Sequence, residues 1–171
     1  MDEYIRLSYH GLRAKDKSFN ADIKLELEES IVKINAIPQD LGRVLLNLFN
    51  NAFYAVKDKK NNTNDAGYQP TVTVSTEINN DEVMIRIKDN GTGMPENVRD
   101  KVFQPFFTTK EIGKGTGLGL SIVKELVEMH GGTITVESKL GEGPAFKLLF
   151  PQIKANEEKM SHHGKRADAM V

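Results

Sequence analysis

The sequence predicts an α+β fold, an α/β sandwich in which helices cover a mixed sheet. Three observations carry this reading. Period-two apolar alternation recurs in neighbouring pairs, at 72–78 with 83–87 and at 133–136 with 146–150. Helical apolar periods separate those pairs, at 38–57 and 117–130. The resulting order is β, α, ββ, α, loop, α, ββ, which sets strands beside strands and so departs from a doubly wound parallel sheet. A length of 171 residues suits one domain, and no internal repeat of solenoid type is visible.

Taken in order, residues 1–12 read as a short helix entering the domain. Phe19, Ala21, Ile23, Leu25 and Leu27 alternate with Asn20, Asp22, Lys24, Glu26 and Glu28, the pattern of a half-buried strand. Pro38, Gln39 and Asp40 open a helix to about Lys57. Its apolar stripe is Leu41, Val44, Leu45, Leu48, Ala52, Ala55 and Val56. Residues 57–70 are polar without a period and read as a solvated loop. Val72, Val74, Thr76 and Ile78, then Val83, Ile85 and Ile87, alternate about Asn79-Asn80-Asp81 and form a hairpin. A Gly-rich turn and a short helix near 95–101 follow. Residues 103–116 have no clear period and are expected to be a mobile loop. The helix from Gly117 to His130 ends at Gly131-Gly132 as a C-cap. The last two strands contain Thr133, Ile134 and Val136, then Phe146, Leu148 and Phe150, joined through Gly141 and Gly143. Pro151 closes the domain.

Composition narrows the function classes. Hydrophobic residues make up 39% and charged residues 27%, the balance of a soluble globular chain. Lys and Arg number 23 against 24 Asp and Glu, a net charge of -1. That argues against nucleic-acid or direct membrane binding through bulk charge. The absence of cysteine removes disulfides, thiolate catalysis and Cys-ligated metal centres. No apolar run approaches the roughly 20 residues of a membrane span, and the N-terminus lacks the order of a secretory signal. A cytoplasmic location is the expectation.

Six of the 14 glycines fall between 91 and 119, where backbone of positive φ or close ligand approach would need them. Three constellations surround this clustering. Asn47, Asn51 and Tyr54 stand at i, i+4 and i+7 and line one polar helix face. Amide oxygens there can ligate a hard cation such as Mg²⁺, which also uses substrate phosphates; a solvated surface face is the plain alternative. Asp89-Asn90-Gly91-Thr92-Gly93-Met94 places a carboxylate at a strand end among residues with little side chain. Such a carboxylate accepts hydrogen bonds and can read an exocyclic amino group such as adenine's. An Asx-turn is the alternative; an EF-hand is excluded by its missing acidic ligands and closing Glu. Gly113-Lys114-Gly115-Thr116-Gly117-Leu118-Gly119-Leu120 precedes a helix, where backbone N–H groups form an anion site. Neither a Walker A loop nor a dinucleotide fingerprint fits its spacing.

Together these segments, with Phe103-Gln104-Pro105-Phe106-Phe107, resemble the N, G1, F and G2 boxes of sensor histidine kinases in order and separation. The resemblance covers about 19–151. It implies the Bergerat fold of the GHKL superfamily: a mixed, mostly antiparallel sheet covered on one face by helices, with a mobile ATP lid over 103–116. By that resemblance ATP and Mg²⁺ are the cofactors, Asn51 is the metal ligand, and Asn47 assists at the phosphates. Asp89 reads adenine, and Gly115, Gly117 and Gly119 cradle phosphates. Gly91, Gly93, Met94, Phe106, Gly113, Thr116 and Leu118 complete the nucleotide set. Tyr54 stands where many such kinases carry a basic residue, so Lys57 or Lys110 is the substitute; Lys110 joins Asn47 and Asn51 as a catalytic candidate. Gly143-Pro144-Ala145-Phe146 lacks the Thr that often supports the adenine through water.

The family's phosphoacceptor motif, a His followed by an acidic residue and a Pro, is missing around all four histidines, His10, His130, His162 and His163. The expected organisation is an N-terminal linker or helix over 1–18, the catalytic domain over 19–151, and a polar or artificial tail over 152–171. Within that tail, 165–171 resembles sequence from a dimerisation helix. The implied partners are a His-bearing dimerisation domain and a response regulator, within a membrane-anchored sensor as the larger context. An ATP-hydrolysing switch of the gyrase or chaperone type is the competing class. Asn47 separates the two, because the hydrolases place a Glu there as general base and an amide cannot act as one.

Overall fold

The computed structural model describes residues 1–30, 33–110, 112–113 and 115–153. Of the expected tail over 152–171 only Gln152 and Ile153 are described; the rest, with His162 and His163, lies outside the described residues, as does Lys114. Helix α1 (Asp2–Lys15) leads to strand β1 (Asp22–Glu26) and the long helix α2 (Pro38–Asn62). The hairpin β2 (Thr71–Asn79) and β3 (Glu82–Asp89) follows, then the single turn α3 (Glu96–Arg99). Helix α4 (Gly119–Met129) and the hairpin β4 (Thr133–Lys139) and β5 (Gly143–Pro151) complete the chain.

The five strands form one sheet in the order β1-β2-β3-β5-β4. β1 pairs parallel to β2, and the other neighbours pair antiparallel. The mixed, mostly antiparallel sheet is therefore as the sequence predicts. The parallel pair needs a crossover connection, and α2 supplies it.

Helix α2 lays Val44, Leu45, Leu48, Phe49, Ala52, Phe53 and Val56 on the sheet. Val72, Val74, Ile85, Ile87, Phe146 and Leu148 meet them from alternate positions of β2, β3 and β5, and Val123 and Val127 from α4. Ile5 on α1 is fully buried in the same cluster, with Tyr9 stacked at a tilt on Phe53 at 5.5 Å. Ser8 Oγ on α1 also donates to Asn50 Oδ1 on α2 at 2.6 Å. Thus the helix expected over 1–12 runs to Lys15 and packs on α2.

One expectation is corrected. Residues 57–70 do not begin as a loop, because α2 continues to Asn62. The added turn is held by its ammonium groups rather than by an apolar period. Lys59 Nζ donates to the carbonyls of Asn90, Gly91 and Gly141 at 3.1, 3.2 and 3.3 Å. Lys60 Nζ donates to Tyr68 O at 2.8 Å. Helix α4 ends as expected: Gly131 takes φ +73°, and N–H groups of Gly131 and Gly132 donate to Glu128 O and Val127 O. That pairing is the Schellman pattern.

His130 closes that end as a packing residue. Its Nδ1 lies 2.7 Å from Leu126 O and its Nε2 3.4 Å from Asp40 Oδ2 on α2. His10 is exposed on α1 beside Tyr9.

Candidate nucleotide site

Alternation along β3 sends Val83, Ile85, Ile87 and Asp89 to the face that α2 covers. Asp89 is thus delivered to the core side by the same period that buries its apolar neighbours, and it is 4% exposed. Burial pushes its carboxyl up to about 7; the Gly91 N–H, donating to Oδ1 at 2.8 Å, and the Lys59 ammonium oppose this. Asn90, next along, is tied down: it accepts from Thr71 N at 2.9 Å and donates to Gln69 O at 2.8 Å. The turn after β3 packs on the β4–β5 hairpin. Gly141 N donates to Thr92 O at 2.7 Å, and Met94 N donates to Ser138 Oγ at 2.8 Å. Gly93, at φ +72°, approaches so closely that a Cβ there would stand 2.0 Å from Lys139 O.

Between α2, this turn, β5 and the segment before α4 lies a cavity of about 660 Å³. That is the range of small-molecule sites. Asn47, Asn51, Tyr54, Ala55 and Asp58 line it in sequence along α2. Asp89, Gly93 and Met94 line the turn side, with Pro144 and Phe146 from β5. Gly113, Gly115, Thr116, Gly117 and Gly119 line the mouth, with Lys110.

Three expected residues stand off the wall. Gly91 lies beneath, holding the Asp89 carboxylate. Leu118 supplies the N-cap backbone of α4. Phe106 is 75% exposed, because its backbone takes φ +65° and turns the side chain outward; Phe107 lines the cavity instead. Sequence reasoning missed Asp58, Thr108, Thr109, Phe107 and Lys59. Phe107, Thr108 and Thr109 lie in the 103–116 segment, which has no period to single them out.

At the α4 end, Asn47 Nδ2 donates to Arg43 O at 2.9 Å. A Cβ on Gly119 would stand 3.3 Å from Asn47 Oδ1, so that oxygen faces the start of α4. Asn51 Oδ1 accepts from Lys110 Nζ at 3.2 Å, and the same ammonium lies 4.5 Å from the centre of the Tyr54 ring. Burial pushes the Lys110 pKa down.

Among the described residues no cluster of three His, Asp or Glu stands ready to hold a metal. A cation at Asn51 would therefore take most of its ligands from phosphate oxygens and water, the habit of Mg²⁺. An amide oxygen already carrying a cationic partner fits that role. The N-terminal end of α4 offers free backbone N–H groups to an anion beside it.

The segment from 103 to 116 is anchored at both ends. Phe103 meets Phe146 edge-on at 6.2 Å. Gly117, at φ +70°, runs against Phe106, and a Cβ there would fall 2.3 Å from the Phe106 carbonyl carbon. The two ends thus form a stem beneath the loop. Gly117→Ala meets that contact and the left-handed backbone cost of about 1–2 kcal/mol. ATP affinity is expected to fall at least about tenfold, and hydrogen-exchange protection of 107–116 on adding ATP and Mg²⁺ should disappear. Unchanged affinity and protection in the variant would show that the stem does not organise the loop.

Comparison with known proteins shows the family and the fold. A family model described as "Histidine kinase-, DNA gyrase B-, and HSP90-like ATPase" matches residues 36–154. Sensor histidine kinase ZraS of Salmonella typhi is 36% identical over 159 residues, which are 92% of this chain and 32% of that protein. Sporulation kinase E of Bacillus subtilis is 34% identical over 148 residues, 86% of this chain and 19% of that protein. The chain thus spans about a third or less of the length of these curated relatives. The solved catalytic domain of histidine kinase ThkA matches with a TM-score of 0.69 at 30% identity, covering 89% of this chain and 92% of that one.

Proposed function

Because the chain belongs to the histidine kinase-, DNA gyrase B- and HSP90-like ATPase family, we propose that it is a phosphotransferase domain that binds ATP in this cavity. It presents the γ-phosphate to a histidine on a separate dimerisation domain, from which a response regulator is charged. In this reading the domain works on the cytoplasmic side of a sensor. No helix among the described residues is long and apolar enough to cross a membrane.

One observation carries the choice of transfer over hydrolysis. The cavity's phosphate end holds amides, hydroxyls, glycines and one lysine, but no carboxylate among its described lining residues. Asp58 is 11 positions beyond Asn47 on α2, or roughly 16 Å along the axis, and Asp89 lies beside the same far end. Water needs a positioned base to attack phosphorus, whereas a neutral imidazole brings its own lone pair. The amides of Asn47 and Asn51 are too weakly basic to act as that base.

The residues divide the work by position. Asp89 accepts the adenine amino group, and Met94 and Phe146 flank the base. Asn47 and the N–H groups at the start of α4 orient the phosphates. Asn51 would hold Mg²⁺, which supplies charge neutralisation of the phosphate oxygens. Catalysis is then positioning and charge compensation rather than covalent chemistry. Incubated alone with ATP, the chain should release phosphate slowly, on the order of one turnover per minute or less. Rapid acceptor-free hydrolysis would favour the switch-ATPase class instead.

A further inference from the structure

The described lining of the cavity contains a single cation, Lys110, yet the proposed ligand carries a triphosphate. Helix α2 presents Asn47, Asn51, Tyr54, Ala55 and Asp58 to that space, none of them basic. The one positive side chain among the described lining residues arrives from the segment before α4, and two α2 residues receive it. Tyr54 takes the ammonium over its ring at 4.5 Å, and Asn51 accepts from it at 3.2 Å. A cation over an aromatic face is held without being neutralised, so its charge remains available to an anion. A carboxylate in place of Tyr54 would cancel that charge, and an aliphatic residue would leave it to wander.

We infer that Tyr54 is a positioning residue for Lys110: the ring seats a loop-borne ammonium that serves the nucleotide phosphates in place of a basic residue on α2. The same ammonium holds the Asn51 amide oxygen toward the cavity, where a divalent cation would otherwise engage it. Phosphate binding draws Lys110 off Asn51 and frees that oxygen, while the Tyr54 ring keeps the ammonium within reach. This rests on the cavity being the nucleotide site.

A double-mutant cycle on ATP affinity, measured by calorimetry on the whole chain with and without Mg²⁺, tests it. Lys110→Met should weaken ATP at least about tenfold, the loss of a charge-assisted contact. Tyr54→Leu should weaken ATP about fivefold when Lys110 is present, but less than about twofold in the Lys110→Met background. Tyr54→Phe keeps the ring and should stay within about twofold of wild type.

A second readout is independent of nucleotide. The Lys110 ε-proton resonances should be shifted upfield by the ring in wild type and Tyr54→Phe, and return to ordinary positions in Tyr54→Leu. Equal losses from Tyr54→Leu in both backgrounds, or from Tyr54→Phe and Tyr54→Leu, would overturn the seat. So would unshifted Lys110 resonances in wild type. ATP bound equally by wild type and Lys110→Met removes this inference alone, whereas a wild type that binds no ATP removes the site assignment beneath it.

Discussion

Asp89→Asn is expected to weaken ATP binding by one to two decades while making the empty domain more stable above neutral pH. Both effects come from one buried carboxylate. In the ionised form it offers the adenine amino group a charge-assisted hydrogen bond, and losing such a bond costs about 1.5–3 kcal/mol. Calorimetry at pH 8 should show the loss, and the ratio of wild-type to mutant affinity should shrink as pH falls toward 6, where Asp89 becomes protonated.

The stability effect has the opposite sign. Burial raises the folded-state pKa from 3.8 to about 7, so between those values the folded protein binds the proton more tightly than the unfolded chain. Stability from this group is then full below 3.8 and is lost as pH rises through about 7. The rise corresponds to a penalty on the order of 4 kcal/mol at alkaline pH. Asn carries no charge to desolvate and its Oδ1 still accepts from Gly91 N–H. Melts at pH 8 should therefore favour the mutant, and melts at pH 4 should bring the two together. ATP affinity unchanged by the substitution would refute the adenine assignment.

Asn51→Ala is the second large effect, and it separates the metal from the nucleotide. Asn51 is the α2 amide whose oxygen accepts from the Lys110 ammonium. Its loss should abolish the gain in ATP affinity that Mg²⁺ confers and reduce phosphoryl transfer below detection. Metal-free ATP binding should remain within about threefold, since a single neutral contact contributes about 0.5–1.5 kcal/mol. Titrating ATP in EDTA and in MgCl₂ against both proteins reads the two terms separately. Equal losses in both buffers would make Asn51 a structural residue.

Much of this site was legible because it follows simple periods. The alternation of Val83, Ile85 and Ile87 extends to Asp89, so the strand itself announces that the carboxylate is buried. Asn47, Asn51 and Tyr54 share a helix face by their spacing, and all three line the cavity. What escaped the sequence depends on contacts between distant segments. The last turn of α2 has no apolar stripe and is held by Lys59 against carbonyls 31, 32 and 82 residues away. The parallel seat of β1 beside β2 is invisible locally, because it depends on how α2 crosses the sheet. Choosing between Phe106 and Phe107 was beyond periodicity too, since a positive φ at Phe106 turns one ring out. The cation that α2 lacks was legible only as a choice between Lys57 and Lys110. Lys57 instead pairs with Asp16 at 2.9 Å, which leaves Lys110 in the cavity.

The proposed function has this chain hand phosphate to a histidine on a separate dimerisation domain. Radiolabelled ATP and Mg²⁺, with and without a separately supplied dimerisation domain bearing the acceptor histidine, test that directly. Acid-labile label should appear on the acceptor domain and hardly at all on this chain. Transfer should be slow and rise with protein concentration, because untethered domains lose the roughly millimolar effective concentration of a short linker. Strong acid-labile label on this chain alone, or an acceptor left unlabelled while phosphate is released into solution, would contradict the account.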